Sequence, residues 1–148
     1  MFAGLYYSHG LEGLQQDHSK AIELYTTSAN LGFSKAHNNL AGIYSEGGVL
    51  KKAKFHFEAA AMAGHEVARN NLGCLELDSG NMERAIKHWI IAASAGEYLS
   101  MHALITCFEE GVVSRESVDS TLAAYNNSCA EMRSEARDAS IALETLFN

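Results

Sequence analysis

Apolar positions along the chain recur three and four residues apart, and the groups they form recur at a fixed step. Ala21, Tyr25 and Ala29 are followed 32 residues later by Ala53, Phe57 and Ala61, and after the same step again by Ala85, Trp89 and Ala93. Spacing of i, i+4 and i+8 puts each trio on one face of an α-helix, here helix B, where the small residues admit a neighbouring helix and the aromatic fills the gap. A second stripe, on helix A, begins near Ala36, Ala68 and Ser100, continues through Leu40, Leu72 and Leu104, and adds Tyr44 and Phe108. Gly32, Gly64 and Gly96 stand three residues beyond each helix B trio, where a helix ends in left-handed backbone. Turns at Gly47-Gly48 and Ser79-Gly80-Asn81 return the chain to helix B, with Asn81 as its N-cap. The pattern predicts an all-α stack of helix pairs.

Units fall at about 1–32, 33–64, 65–96 and 97–132, with a closing helix at 133–148. The run Ala3-Gly4-Leu5-Tyr6-Tyr7 matches the second half of a helix A, so the chain is expected to open inside a repeat, as a fragment of a longer array does. Toward the other end Thr121 and Tyr125 keep the helix B spacing, and an amphipathic segment from about Ser134 to Leu146, with Ile141 and Leu143, is expected to cap the last apolar face. Glu76 stands where Tyr44 and Phe108 place an aromatic. Its flanks Leu75 and Leu77 predict a small register adjustment or a carboxylate reaching the surface.

Composition agrees with this picture. The 148 residues suit one domain, 47% apolar content supplies a core, and the absence of Pro beside 12 Gly suits helices joined by turns. A net charge of -7, with only 11 Lys and Arg, argues against a nucleic-acid partner. The longest apolar runs, such as Trp89 to Ala93, are too short to cross a bilayer, and the start Met1-Phe2-Ala3-Gly4 lacks a basic region followed by an apolar one, so a soluble, non-secreted, intracellular chain is expected. Cys74, Cys107 and Cys129 form no C-x-x-C pair and read as buried thiols rather than a disulfide framework.

Ala36, Leu40, Ala41, Tyr44 and Gly47, followed by Lys52, Ala53, Phe57, Ala60, Ala61 and Gly64, resemble the motif of the Sel-one-like repeat family, relatives of the tetratricopeptide repeats. Gly13, Leu14, Asp17, Lys20 and Ala21 match that family's long turn, whereas the later turns are shorter than its usual loop. The resemblance implies a right-handed superhelical solenoid of antiparallel helix pairs and a role as an adaptor or scaffold binding a protein or peptide. A segment that only holds shape within a larger protein is the alternative.

In such a stack helix A lines the concave face, so its non-core positions are the expected binding surface. By register these are Asn38, Asn70 and His102, then Gly42, Cys74 and Thr106, then Ser45 and Glu46, Leu77 and Asp78, Glu109 and Glu110. The Asn amides suit the backbone of an extended peptide, and the acidic ends favour a basic one. Asn39 and Asn71 form a second column read as a surface or inter-repeat contact.

Catalysis finds little support. Some cysteine-rich relatives in this family are linked to β-lactam chemistry, but no Ser here has Lys three residues on. His65-Glu66 opens like a metalloprotease helix, yet Arg69 stands where H-E-x-x-H needs its second His. His56 and His88 share a register but are expected about 9–10 Å apart, one helix spacing, too far to share a metal. Cys107 and His102 lack the arrangement of a thiol and its base. No cofactor and no metal is expected.

Overall fold

The computed structural model describes residues 14–147, with side chains from Ser19 onward. Among these residues there are seven helices and no strand: α1 Leu14–Asn30, α2 Ser34–Glu46, α3 Leu50–Met62, α4 Glu66–Asp78, α5 Met82–Ser94, α6 Tyr98–Glu109 and α7 Arg115–Phe147. The run Ala3 to Tyr7, on which the expectation of an incomplete first repeat rests, lies outside the described residues. Leu14 and Asp17, expected in a long turn, are instead the first turn of α1.

Glycine sets the rhythm. Gly32, Gly48, Gly64, Gly80 and Gly96 all have positive φ and stand 16 residues apart, so each 13-residue helix from α2 to α5 is followed by a three-residue turn. Each glycine N–H donates three residues back, as Gly64 does to Ala61 O at 3.0 Å, and the next residue donates five back, as His65 does to Ala60 O at 3.1 Å. These paired bonds satisfy carbonyls that a helix end leaves without intrahelical partners. At Gly64 φ is +87° and a Cβ would meet nothing within 4 Å, so the left-handed conformation alone disfavours other residues. Gly64→Ala is expected to lower stability by about 1–2 kcal/mol without loss of helicity, measured by urea unfolding and circular dichroism.

The chain divides into two compact units between His88 and Trp89, within α5. In the first, α1 packs on α2, α2 on α3 and α3 on α4. Its core is Ala41, Ala53, Phe57, Ala60, Ala68, Leu72 and Leu75, with Tyr44 against it. The columns seen in the sequence become burial: Ala53, Phe57 and Ala68 are fully buried, and Leu40 and Leu72 are almost so. In the second unit Trp89, Ala93, Ser100 and Leu104 repeat those positions and are also buried.

The second unit also holds the largest departure from the repeat. Gly111 arrives one residue early, after the 12-residue α6, and α7 then runs 33 residues. The helix expected to start near residue 133 is the second half of α7, because no Gly or Pro interrupts the chain between Asn126 and Asn148. α7 packs against α6 and buries Val118 and Thr121. Ser128 Oγ donates to Ser94 O at 2.7 Å, and the Met132 methyl lies 2.8 Å from where a Cβ on Gly96 would stand, so α7 also covers the α5–α6 turn. Beyond it Ile141, Leu143 and Leu146 are exposed rather than covering a final apolar face.

Candidate functional site

Helices α2 and α4 are the A helices of the first unit, and a side-chain hydrogen bond joins them: Asn71 Nδ2 donates to Asn38 Oδ1 at 3.1 Å. Asn38 and Asn71 are both half-buried, whereas Asn70 is buried at 5% exposure. The two asparagine columns therefore cross over between repeats. The bond uses one position from each, and Asn70 is turned into the protein rather than standing beside Asn38 on the surface. Gly42 is also buried, Cys74 is half-buried, and Glu46 and Asp78 are exposed. In the second unit His102, Thr106 and Glu109 are all exposed. His102 stacks on Tyr98 at 6.2 Å, and Thr106 Oγ donates back to His102 O at 3.2 Å, so that hydroxyl is engaged within its own helix.

The three A helices among the described residues end alike. Glu46 closes α2, Asp78 closes α4 and Glu109 closes α6, while the B helices α1, α3 and α5 close on Asn30, Met62 and Ser94. A carboxylate at a helix C-terminus sits on the negative end of the helix dipole and costs about 0.3–1 kcal/mol.

Glu76, two residues before Asp78, is buried at 3% exposure and forms an ion pair with Lys54 at 2.9 Å, while Asn81 Nδ2 donates to its other oxygen at 2.9 Å. The expected register shift or surfacing carboxylate does not occur. Lys54 reaches the acid from α3, and the side chain of Asn81, expected to cap the helix that follows, donates to it from the turn. Burial by itself raises the Glu76 pKa, but hydrogen bonds from Lys54 and Asn81, with the charges of Lys54 and Arg84, outweigh it and hold the carboxyl below its ordinary range. A cleft of about 140 Å³ beside it is lined by Leu50, Lys51, Lys54, Leu75, Ser79 and Asn81. This group is structural in kind, an acid replacing an aromatic.

The remaining polar cluster of the first unit was not anticipated from the sequence. His37 Nδ1 of α2 and His56 Nδ1 of α3 are 3.0 Å apart. His56 stacks on Tyr44 at 5.7 Å and meets the edge of Phe55 at 5.1 Å, and Lys52 Nζ lies 5.2 Å from the centre of the Tyr44 ring. Burial, then the neighbouring His37 and Lys52, lower the His56 pKa and keep its ring neutral near pH 7. One repeat later the same two positions are Arg69 and His88, where burial and then the Arg69 charge lower the His88 pKa. A contact at this separation leaves no trace in helical periodicity, though once seen in one repeat it locates its counterpart in the next.

His65, which with Glu66 opened like a metalloprotease helix, has a local role: its Nδ1 accepts from Ala68 N at 3.1 Å and so caps α4. Cys107 is buried, and burial followed by the nearby Glu110 raises its pKa, which leaves the thiol protonated and unreactive. Among the described residues no helix is long and apolar enough to cross a membrane.

Comparison with curated proteins finds no match. Comparison with protein families finds the Sel1 repeat at residues 1–33, 34–65 and 67–97. Those stretches carry the 32-residue columns and the glycine turns described above and end where α6 begins, before the early Gly111 and the long α7. With three consecutive repeats covering well over half of its length, the chain belongs to the Sel1 repeat family.

Proposed function

We propose that the chain is a protein-binding module that holds a basic segment of a partner protein against the C-terminal ends of the A helices of its first unit, α2 and α4. Sel1 repeats are generally interaction or scaffold modules and typically non-catalytic, which supports the general class. What supports the basic partner is the carboxylate that closes α2, α4 and α6 and none of the B helices before α7. Each opposes its helix dipole, so the dipole does not favour the repetition, and attraction of Lys and Arg side chains is a reason for it. Asn38 and Asn71 would offer amides to the backbone of the bound segment, with Cys74 beside them in register. His102 and Thr106 hold the corresponding register on α6, and Gly42 and Asn70 act from within by setting how the helices pack.

The test is fluorescence anisotropy with Lys/Arg-rich, neutral and acidic peptides of equal length. Only the basic peptide should bind, its affinity should fall as salt rises, and Glu46→Gln with Asp78→Asn should weaken it about tenfold or more. Asp78→Asn alone should be at least as stable as the parent, because an unfavourable dipole contact is gone. Equal binding of all three peptides, or full binding by the double variant, would refute the proposal.

A further inference from the structure

We infer that His37 and His56 form a two-imidazole seat for a divalent transition metal, Cu(II) foremost. The first support is the 3.0 Å between their Nδ1 atoms. With metal–nitrogen bonds of about 2.0–2.1 Å, two ligands at a tetrahedral angle stand about 3.3–3.4 Å apart and two at a right angle about 2.8–3.0 Å apart. The observed spacing fits adjacent corners of a tetragonal or octahedral ion better than the tetrahedron of zinc. Second, the pair is built on two packed helices rather than on a loop, and the Tyr44 and Phe55 rings hold His56 from two sides. Coordination requires both rings to rotate away from their mutual hydrogen bond, so that both lone pairs converge on one point.

The donors also select the ion. Two neutral nitrogens, with no third His, Cys, Asp or Glu grouped with them among the described residues, offer nothing to magnesium or calcium, which take oxygen ligands. Among divalent ions that accept imidazole, Cu(II) binds most tightly and prefers this right-angle arrangement. Its other positions fall to water or to a side chain of a bound partner. Without metal, one Nδ1 carries a proton and donates it to the other. On coordination that ring takes its Nε2–H tautomer by exchange with water, so a neutral pair binds the ion without net proton release. Lys52 opposes the ion, since its ammonium lies over Tyr44 and its charge reaches His56.

The test is titration of the whole chain with Cu(II), followed by electron paramagnetic resonance with resolution of coordinated imidazole nitrogen. The expected result is a centre with two equatorial imidazoles. His37→Gln and His56→Gln should each leave at most one imidazole and weaken binding about a hundredfold, the loss of a chelate. Lys52→Gln should tighten it, and His102→Gln should change nothing. Asn variants at positions 37 and 56, checked for helicity by circular dichroism, provide a second set should either Gln variant misfold. A two-imidazole signal that survives in the His37 and His56 variants places the ion elsewhere on a chain with seven histidines and overturns the inference. So does a parent protein that shows only one imidazole.

Discussion

Phe57→Ala is expected to lower the stability of the first unit by about 3–5 kcal/mol, the usual cost of truncating a buried Phe. Phe57 is fully buried within the cluster of Ala41, Ala53, Ala60, Ala68, Leu72 and Leu75. Four of those six neighbours are alanines, which have no side-chain freedom with which to collapse into the space left behind. The upper part of the range is therefore the expectation. Against a typical stability of about 5–15 kcal/mol, that loss leaves the unit marginal. Phe55, two residues earlier and 63% exposed, is the internal control, and Phe55→Ala should stay within about 0.5 kcal/mol of the parent. Urea unfolding followed by circular dichroism measures both. Equal effects from the two variants would mean that α3 does not bury the face described.

The second large effect is expected at Lys54. Glu76 has a side chain only 4% exposed, and Lys54→Met leaves its carboxylate with Asn81 as the remaining partner described. Removing one member of a fully buried pair costs about 3–5 kcal/mol, but the Lys54 side chain is 42% exposed, and water screens part of the interaction. About 1–3 kcal/mol at pH 7 is expected. Replacing both, as Lys54→Met with Glu76→Leu, should recover most of that loss, since an apolar pair leaves no stranded charge. The pH dependence has a definite sign. The Glu76 carboxyl is held below its ordinary value of 4.5, so its contribution is complete above that value and is lost as pH falls through the lower folded-state value. In Lys54→Met the stranded acid takes up a proton more readily, so the gap between parent and variant should close as pH falls below about 4.5. A gap that stays constant from neutral to acid pH would show that Lys54 acts through packing alone.

Most of the fold was legible because a repeat writes each structural role several times. Leu40, Leu72 and Leu104 could be placed in the core together, and all three are buried. Gly32, Gly64 and Gly96 could be assigned left-handed turns from spacing alone, and all three adopt them. The finer 16-residue step was less visible, because Gly47 beside Gly48 hid which of the two carries the positive φ. Features occurring once were not legible. The continuity of α7 depends on a missing stop signal, and the burial of Glu76 depends on Lys54 reaching it from another helix. For the site, register gave the acidic ends of the A helices but not the direction in which a side chain turns. Asn70 and Asn71 are adjacent on α4, and tertiary packing decides that Asn70 is buried while Asn71 reaches Asn38.

The most direct test of the proposed binding surface is a map of backbone amide shifts on titration with a short Lys/Arg-rich peptide. The predicted result is a set of saturable changes centred on Asn38, Glu46, Asn71, Cys74 and Asp78, reduced by salt. Changes centred instead on the outer residues of α3, such as Phe55, Glu58 and Met62, would place binding on the B helices and contradict it.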